Sequence, residues 1–198
     1  MDRLKPSQAA AAASTLAQAF ADDPLMHILA PDADEKRRLD VGKWFFGAAI
    51  NYGLRYNGEV SCNEDASAAA IWFPPGHTHL SPLRMLRAGM GAMPFKAGIN
   101  GTMRFFKAMP VMEAFHKAVD GPHWYLLAIG TRPDVQGTGL GGALVELGTA
   151  QADKAGIPCY LETATESNVA FYRKRGFEVT GETEVYGFTL RGMARQPQ

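Results

Sequence analysis

The sequence is poor in cysteine, shows no excess of either charge and has no long apolar run. Cys62 and Cys159 are the only cysteines, and neither lies in a CxxC pair or a Cys/His cluster, so a structural zinc site is not expected. Twenty basic residues balance twenty acidic ones without a long basic run, which removes the electrostatic signature of a nucleic-acid-binding protein. No apolar run approaches the ~20 residues needed to cross a bilayer.

These absences favour a cytoplasmic protein that binds a small molecule and neither nucleic acid nor membrane. Two reduced cysteines in a reducing compartment are a simpler interpretation than one disulfide. The alanine-rich N-terminus carries Lys5, Pro6 and Gln8 and lacks the apolar core of a signal peptide. Because 198 residues suit one domain, we expect a single domain over residues 1–198, as a monomer or homodimer.

The first part of the chain predicts helices followed by a strand pair. Pro6-Ser7 opens an alanine-rich helix that ends at Asp22-Asp23-Pro24, and residues 32–34 are expected to cap a second helix. Residues 58–63 and 68–73 then predict two antiparallel strands.

Residues 77–122 differ in character, because glycines and prolines break them into what we expect to be short helical pieces. They hold six of the nine methionines, whose flexible side chains suit adaptable apolar surfaces. Two interpretations stay open: the methionines fill the core under an irregular insertion, or they form a movable wall around an apolar pocket. The six are Met85, Met90, Met93, Met103, Met109 and Met112.

The last third of the chain has the most regular pattern. Residues 123–131 predict a strand, which a glycine-rich turn joins to a helix from Leu140 to a C-terminal cap at Gly156. The elements expected after it are a strand over 157–163, a short helix over 168–175, and closing strands over 177–186 and 188–194.

The turn Gln136-Gly137-Thr138-Gly139-Leu140-Gly141-Gly142 is the most informative segment. Its glycines lack Cβ atoms, so a ligand can approach the backbone closely. The helix that follows begins with unpaired N–H groups at the positive end of its dipole. Together these features predict a binding site for a phosphate or pyrophosphate.

A dinucleotide site is one interpretation of this turn. The spacing of Gly137, Gly139 and Gly142 satisfies GxGxxG, and Glu162 follows ~20 residues later, as that fingerprint requires. However, residues 132–136 separate the strand from the first glycine, whereas the fingerprint joins them almost directly. Too few residues follow Gly142 for the rest of a doubly wound sheet, so we do not favour this interpretation.

The same residues resemble the pyrophosphate-binding signature Gln/Arg-x-x-Gly-x-Gly/Ala of the GNAT acetyltransferase superfamily. Gln136, Gly139 and Gly141 match it. The approach, a strand that ends in small residues before Pro133, is also similar. Elements that resemble the family's asparagine, "LY" and "GF" positions follow in order at Asn168, Phe171-Tyr172 and Gly176-Phe177.

A narrower resemblance, to puromycin N-acetyltransferase and its relatives, covers most of the chain. Its segments are 19–24, 70–75, 124–142 and 161–177.

The resemblance implies an α/β fold with a mixed, mostly antiparallel central sheet flanked by helices. It places a helical insertion at about 77–122 and an acetyl-CoA-binding core at about 123–180. It also implies transfer of an acetyl group from acetyl-CoA to a primary amine, without a metal. Residues Ile129, Gly130 and Thr131 are then expected to hold the pantetheine and thioester, and the glycine-rich turn the pyrophosphate, with Asn168 as a further contact.

The resemblance also suggests roles in catalysis. Tyr172 is the implied general acid toward the thiolate, and Glu162 is the candidate base, acting directly or through water. His123 is an alternative base, although a lone histidine is commonly structural. Trp72 and Phe73 are expected to contact the acceptor amine, which we expect to be apolar or aromatic. A peptide or protein acceptor, and an acyl-CoA-binding sensor without turnover, remain as alternatives.

Overall fold

The described residues, 1–117, 119 and 121–198 of a computed structural model, form one seven-stranded sheet with helices on both faces. The strands are β1 (Asp2–Arg3), β2 (Glu59–Cys62), β3 (Ala68–Phe73), β4 (Trp124–Thr131), β5 (Cys159–Thr163), β6 (Glu178–Val185) and β7 (Phe188–Arg195). They lie in the order β1-β2-β3-β4-β5-β7-β6, and only β4 and β5 are parallel neighbours. This confirms the predicted fold class.

Side-chain caps fix the starts of several helices. Asp34 begins a long helix by accepting a hydrogen bond from the N–H of Arg37, as predicted. Asp23 likewise accepts from the N–H of Leu25. The helices are α1 (Ala9–Ala19), α2 (Pro24–Leu29), α3 (Glu35–Arg55), α4 (Pro82–Ala88), α5 (Met93–Lys96), α6 (Gly98–Lys117), α7 (Leu140–Ala155) and α8 (Glu166–Arg173).

The short helix α2 is absent from the sequence-based prediction. Asp23-Pro24 was expected only to end the first helix, but the same pair also starts a helix. The reason is that Asp23 suits an N-cap and Pro24 suits the first helical position, where no N–H is needed.

The insertion corrects a second prediction. In place of short pieces throughout, it contains the 20-residue helix α6, which continues through Pro110. A proline removes one backbone hydrogen bond, and α6 offsets that loss by burying Phe105 and Ala108 against the core. The final part of the expected insertion includes residues 118 and 120, which lie outside the described residues.

Two hydrophobic clusters lie on opposite faces of the sheet. Helices α1 to α6 cover one face, where Phe73 is fully buried. Helices α7 and α8 cover the other, where Gly148 of α7 lets the helix lie directly on the indole of Trp72. Cys62 and Cys159 are both buried and unpaired. In the described part of the chain, no helix combines the length and apolar character needed to cross a membrane.

Candidate active site

The two parallel strands β4 and β5 separate after a short paired stretch. Residues Trp124–Leu126 pair with Cys159–Leu161, and the strands then diverge. Residues 127–131 of β4 consequently have no strand partner on that side within the described chain. A cavity of about 690 Å³ opens at this gap, and its walls come from β4, β5, the glycine-rich turn and α8.

A β-bulge in β4 lies where the two strands begin to separate. Ile71 pairs with Ala128 and Trp72 pairs with Leu126, so Leu127 is an extra residue opposite β3. A bulge bends its strand and increases the local twist, which agrees with the divergence seen at this point. Leu127 and Ala128 line the cavity.

The glycine-rich turn shapes one end of the cavity. Gly137 and Gly139 have φ angles of 79° and 89°, a left-handed conformation that favours glycine. Gly139 is the N-cap of α7 and offers no side chain, so the first N–H groups of the helix are left for a ligand. Gln136 supports the turn by donating a hydrogen bond from Nε2 to the Thr131 carbonyl, 3.1 Å away.

Arg175 adds a positive charge beside the start of α7. Its guanidinium carbon lies 3.7 Å from the ring centroid of Phe171, and Nη1 donates to the Phe171 carbonyl at 2.8 Å. A Cβ atom on Gly142 would come within 2.6 Å of Nη2, which shows how closely the guanidinium approaches the turn. A helix N-terminus and a guanidinium at one point form an anion site, and the donor chemistry therefore fits a pyrophosphate.

The predicted cofactor residues are brought together, with one exception. Thr138 lines neither cavity described here, and its hydroxyl donates to the Val135 carbonyl at 2.7 Å. Those that line the cavity are Ile129, Gly130, Thr131, Gln136, Gly137, Gly139, Leu140, Gly141, Gly142 and Asn168.

Tyr172 of α8 lines the same cavity, although only 6% of its surface is exposed. Its ring packs edge-on against Phe171 and Phe177, with centroid distances of 5.1 and 5.7 Å. Burial raises the pKa of the Tyr172 hydroxyl, and the negative charge of Asp23 raises it further. The hydroxyl is therefore protonated at neutral pH and available as a donor. Asp23 also lines the cavity, and burial raises the pKa of its carboxyl.

Glu162 of β5 lies at the other side of the gap, and its side chain is only 4% exposed. Its Oε1 atom is 3.3 Å from Nδ1 of His116, which α6 supplies from the insertion. Burial raises the pKa of the Tyr125 and Tyr160 hydroxyls, and the charge of Glu162 adds to the shift, so both stay protonated. Burial also lowers the pKa of His123, which favours its neutral form.

Several buried polar atoms around Glu162 lack hydrogen-bond partners among the described residues. They are Oε1 of Glu162, Nε2 of His116, Nε2 of His123 and the hydroxyl of Tyr160. Such atoms are costly to bury unless a water or ligand satisfies them. No three His, Cys, Asp or Glu side chains in the described part of the chain form a group that could hold a metal ion.

A second, apolar cavity of about 150 Å³ adjoins the first and lies beneath α3 and the insertion. The two cavities share Phe20, Leu25, Met112, Tyr125, Leu127 and Ala128 as lining residues. Further apolar walls of the second cavity come from Phe45, Phe46, Tyr52, Phe105 and three more insertion methionines, Met85, Met90 and Met109. By contrast, Met93 is buried in the core and Met103 is 53% exposed.

Trp72 and Phe73 line neither of these two cavities, and their contact with the acceptor stays a prediction. Trp72 faces α7, where its Nε1 donates to the Leu144 carbonyl at 3.3 Å. Phe73 points to the opposite face and packs against Tyr52 with a centroid distance of 5.7 Å. Helices cover both faces of β3, so alternate residues of this strand are buried on either side.

Sequence reasoning missed three residues at this site. Asp23 has a visible signal as a capping residue before Pro24, but nothing marks it as part of a cavity. Arg175 lies in a basic stretch that is typical of a solvent-exposed helix end. His116 is the one histidine of α6 and belongs to no motif. Its proximity to Glu162 depends on how the insertion packs on the sheet.

Comparisons with known proteins agree with this geometry. Residues 95–177 match the model of the Acetyltransferase (GNAT) family. An uncharacterised N-acetyltransferase of Schizosaccharomyces pombe is 29% identical over 171 residues, which cover 84% of this chain and 69% of the relative. By sequence and by fold, the chain is therefore similar to the GNAT acetyltransferases. The narrower resemblance to puromycin N-acetyltransferase stays a prediction.

Solved structures share the fold. The crystal structure titled histone acetyltransferase HPA2 and related acetyltransferase, from Corynebacterium glutamicum, is 21% identical. It superposes with a TM-score of 0.63 and covers 100% of this chain and 95% of its own. The ribosomal-protein-S18-alanine N-acetyltransferase of Escherichia coli is 18% identical, with a TM-score of 0.53 over 98% of this chain and 91% of its own. At these identities the similarity concerns the fold alone.

Proposed function

We propose that this protein is a GNAT acetyltransferase and transfers the acetyl group of acetyl-CoA to the primary amine of a small apolar or aromatic molecule. The observation that carries the proposal is the shared wall between the two cavities at Leu127 and Ala128. A donor held along β4 and an acceptor held in the apolar cavity would then meet at the gap between β4 and β5.

The donor side rests on backbone groups and positive charge. The free edge of Ile129, Gly130 and Thr131 offers N–H and C=O groups to the pantetheine amides, as an added strand would. The start of α7 and Arg175 would hold the pyrophosphate. Open space around Gly137 and Gly139 supports this assignment, because no side chain lies within 4 Å of where their Cβ atoms would be.

The acceptor side has an apolar body and a polar end. Phenylalanine and methionine side chains supply much of the apolar wall of the second cavity, which His116 and Glu113 also line, and Glu162 lies in the adjoining gap. An alkylammonium has a pKa near ~10.4 and must lose a proton before it can attack. Glu162 is the group that we assign to accept that proton.

The transfer then balances as follows. The ammonium first gives one proton to Glu162, and the neutral amine nitrogen then forms a bond to the thioester carbonyl carbon. The carbon–sulfur bond breaks as Tyr172 donates its proton to the departing sulfur. The nitrogen loses its second proton to the Tyr172 oxygen, which restores the hydroxyl, and Glu162 releases the first proton to solvent. The two assigned groups have complementary roles: Glu162 removes a proton and Tyr172 supplies one.

A thiol-release assay tests the proposal with acetyl-CoA and three acceptors: an arylalkylamine, spermidine and a lysine-containing peptide. We expect kcat/KM to be highest for the arylalkylamine. If the peptide or spermidine exceeds it by more than about tenfold, the proposed acceptor class is wrong. If no amine releases thiol while acetyl-CoA still binds, the chain acts as a sensor instead.

Two methionines of α6 give a matched pair for the acceptor cavity. Met109 lines it, whereas Met103 is exposed on the same helix. Met109→Ala should raise the acceptor KM by removing apolar contact worth about 1–2 kcal/mol, and should leave the acetyl-CoA KM unchanged. Met103→Ala should change neither constant. Equal effects of the two variants would contradict the assignment of this cavity.

A further inference from the structure

We propose that His116, which the insertion helix α6 supplies, is a positioning residue that shares the proton accepted by Glu162. This inference rests on the proposed function and extends it. It makes the insertion part of the proton-transfer machinery in addition to a wall of the acceptor cavity.

The geometry brings two distant elements together. Nδ1 of His116 lies 3.3 Å from Oε1 of Glu162, and the two side chains are only 18% and 4% exposed. The imidazole is fixed by edge-on contacts with Tyr125 and Tyr160, at centroid distances of 4.2 and 5.2 Å. The ring therefore has little freedom to turn away from the carboxylate.

Among the described residues, His116 is the basic side chain that lies against the buried carboxylate of Glu162. A buried carboxylate is costly without such a partner. The other titratable groups around the pair are Tyr125, Tyr160, His123 and Glu113. The tyrosine hydroxyls are held protonated by burial, His123 is held neutral, and Glu113 pairs with Lys117 at 2.9 Å.

Proton and charge balance in this arrangement. The proposed step starts from an acceptor ammonium with one positive charge and a His116–Glu162 pair with one negative charge in total. One N–H bond of the ammonium breaks and the pair binds the proton, so that the acceptor becomes neutral and the pair has no net charge. Because the proton is shared between a carboxylate oxygen and an imidazole nitrogen, neither charge is left isolated in the buried site.

The test uses His116→Gln with two acceptors that differ in whether they arrive protonated. An arylalkylamine is an ammonium at pH 7, whereas an arylamine is already neutral. We expect kcat/KM to fall about 10²-fold for the arylalkylamine and less than about fivefold for the arylamine, with the acetyl-CoA KM unchanged. His77→Gln is the matched control, since His77 lies near Asn57 and lines neither cavity.

A double variant gives a second measurement. In a Glu162→Gln background, His116→Gln should have no further effect, because the partner it positions is already lost. His116→Asn replaces the glutamine variant if the latter does not fold, as judged by its melting temperature. Equal losses for both amines, or additive losses in the double variant, would overturn the role of His116. Absence of turnover by the unmodified chain with any small amine would instead overturn the proposed function.

Discussion

Tyr172 combines two properties that a proton donor to the departing thiolate needs. Tyr172 lines the cavity at the β4–β5 gap, and burial keeps its hydroxyl protonated well above neutral pH. Its ring also packs between Phe171 and Phe177, so a core role and a catalytic role are compatible in one side chain. A substitution that removes only the hydroxyl oxygen tests the catalytic role separately from the core role.

Tyr172→Phe should lower kcat by about 10²–10⁴-fold, because the ring and its packing remain while the donor is lost. Acetyl-CoA binding, measured by calorimetry, should survive. The raised pKa of the hydroxyl also predicts that the unmodified protein does not lose this donor as the pH rises to about 10, the ordinary tyrosine pKa. A fall in kcat of less than about threefold would return Tyr172 to a packing role.

At the scale of the element, α7 has left-handed glycines at both ends, and only one of them faces the cavity. Gly139 begins the helix with φ of 89°, and Gly156 ends it with φ of 66°. Gly139→Ala and Gly156→Ala should therefore cost similar stability, about 1 kcal/mol each, because both place a Cβ atom in a left-handed conformation.

Acetyl-CoA should distinguish these two variants. A ligand that binds only the folded state raises the melting temperature in proportion to RT ln(1 + [L]/Kd). We expect this shift to be lost in Gly139→Ala, since the Cβ atom enters the pyrophosphate site, and kept in Gly156→Ala. Thermal denaturation with and without acetyl-CoA measures it. Loss of the shift in both variants would show that strain in α7, and not the site, is responsible.

The contact between α7 and β3 gives another prediction at this scale. A Cβ atom on Gly148 would overlap the Trp72 indole, whereas Gly47 of α3 has only Ala13 nearby, at 3.9 Å. Gly148→Ala should lower the free energy of unfolding by about 2–3 kcal/mol, and Gly47→Ala should raise it slightly through helix propensity. Chemical denaturation of both variants checks this. A tolerated Gly148→Ala would mean that α7 moves away from the sheet at little cost.

Local patterns predicted most elements but not those that depend on tertiary contacts. The strand, turn and helix around residues 123–156 follow from alternation and glycine placement, and they agree with β4 and α7. The long helix α6 could not be predicted, because the apolar contacts that stabilise it across Pro110 come from distant residues. The bulge at Leu127 likewise depends on its pairing with β3.

At the scale of the whole molecule, the candidate site likewise combines residues marked by local motifs with residues that only tertiary contacts bring together. The turn and Tyr172 resemble family motifs that are local in sequence, and both border the same cavity, while their roles stay predictions. Trp72 was assigned to the acceptor because aromatic residues suit such a site, but the side of the sheet it faces depends on register. His116 meets Glu162 only because the insertion packs across the sheet, and no local pattern encodes that contact.

One ion pair joins the end of the last strand to the last turn of α7. Arg195, only 6% exposed, donates from Nη1 and Nη2 to Asp153 at 2.6 and 2.9 Å. The hydrogen bonds from Arg195 hold the pKa of the Asp153 carboxyl below its ordinary value. Since the unfolded chain has an aspartate pKa of about 3.9, this stabilisation is complete above that pH and is lost as the pH falls through the lower folded pKa.

Asp153→Asn should therefore destabilise the protein at pH 7, by about 1–2 kcal/mol, and should reduce the loss of stability between pH 4 and pH 2. Asp134→Asn is the matched control. The pKa of Asp134 is also lowered by hydrogen bonds from an arginine, Arg132, but that pair is exposed on the surface, so its removal should change stability little at pH 7. Urea denaturation of both variants across this pH range measures the difference. If the two variants behave alike, the partly buried pair at the end of β7 contributes no more than a surface contact, and this end of β7 is held by its backbone hydrogen bonds to β5 and by the packing of Met193.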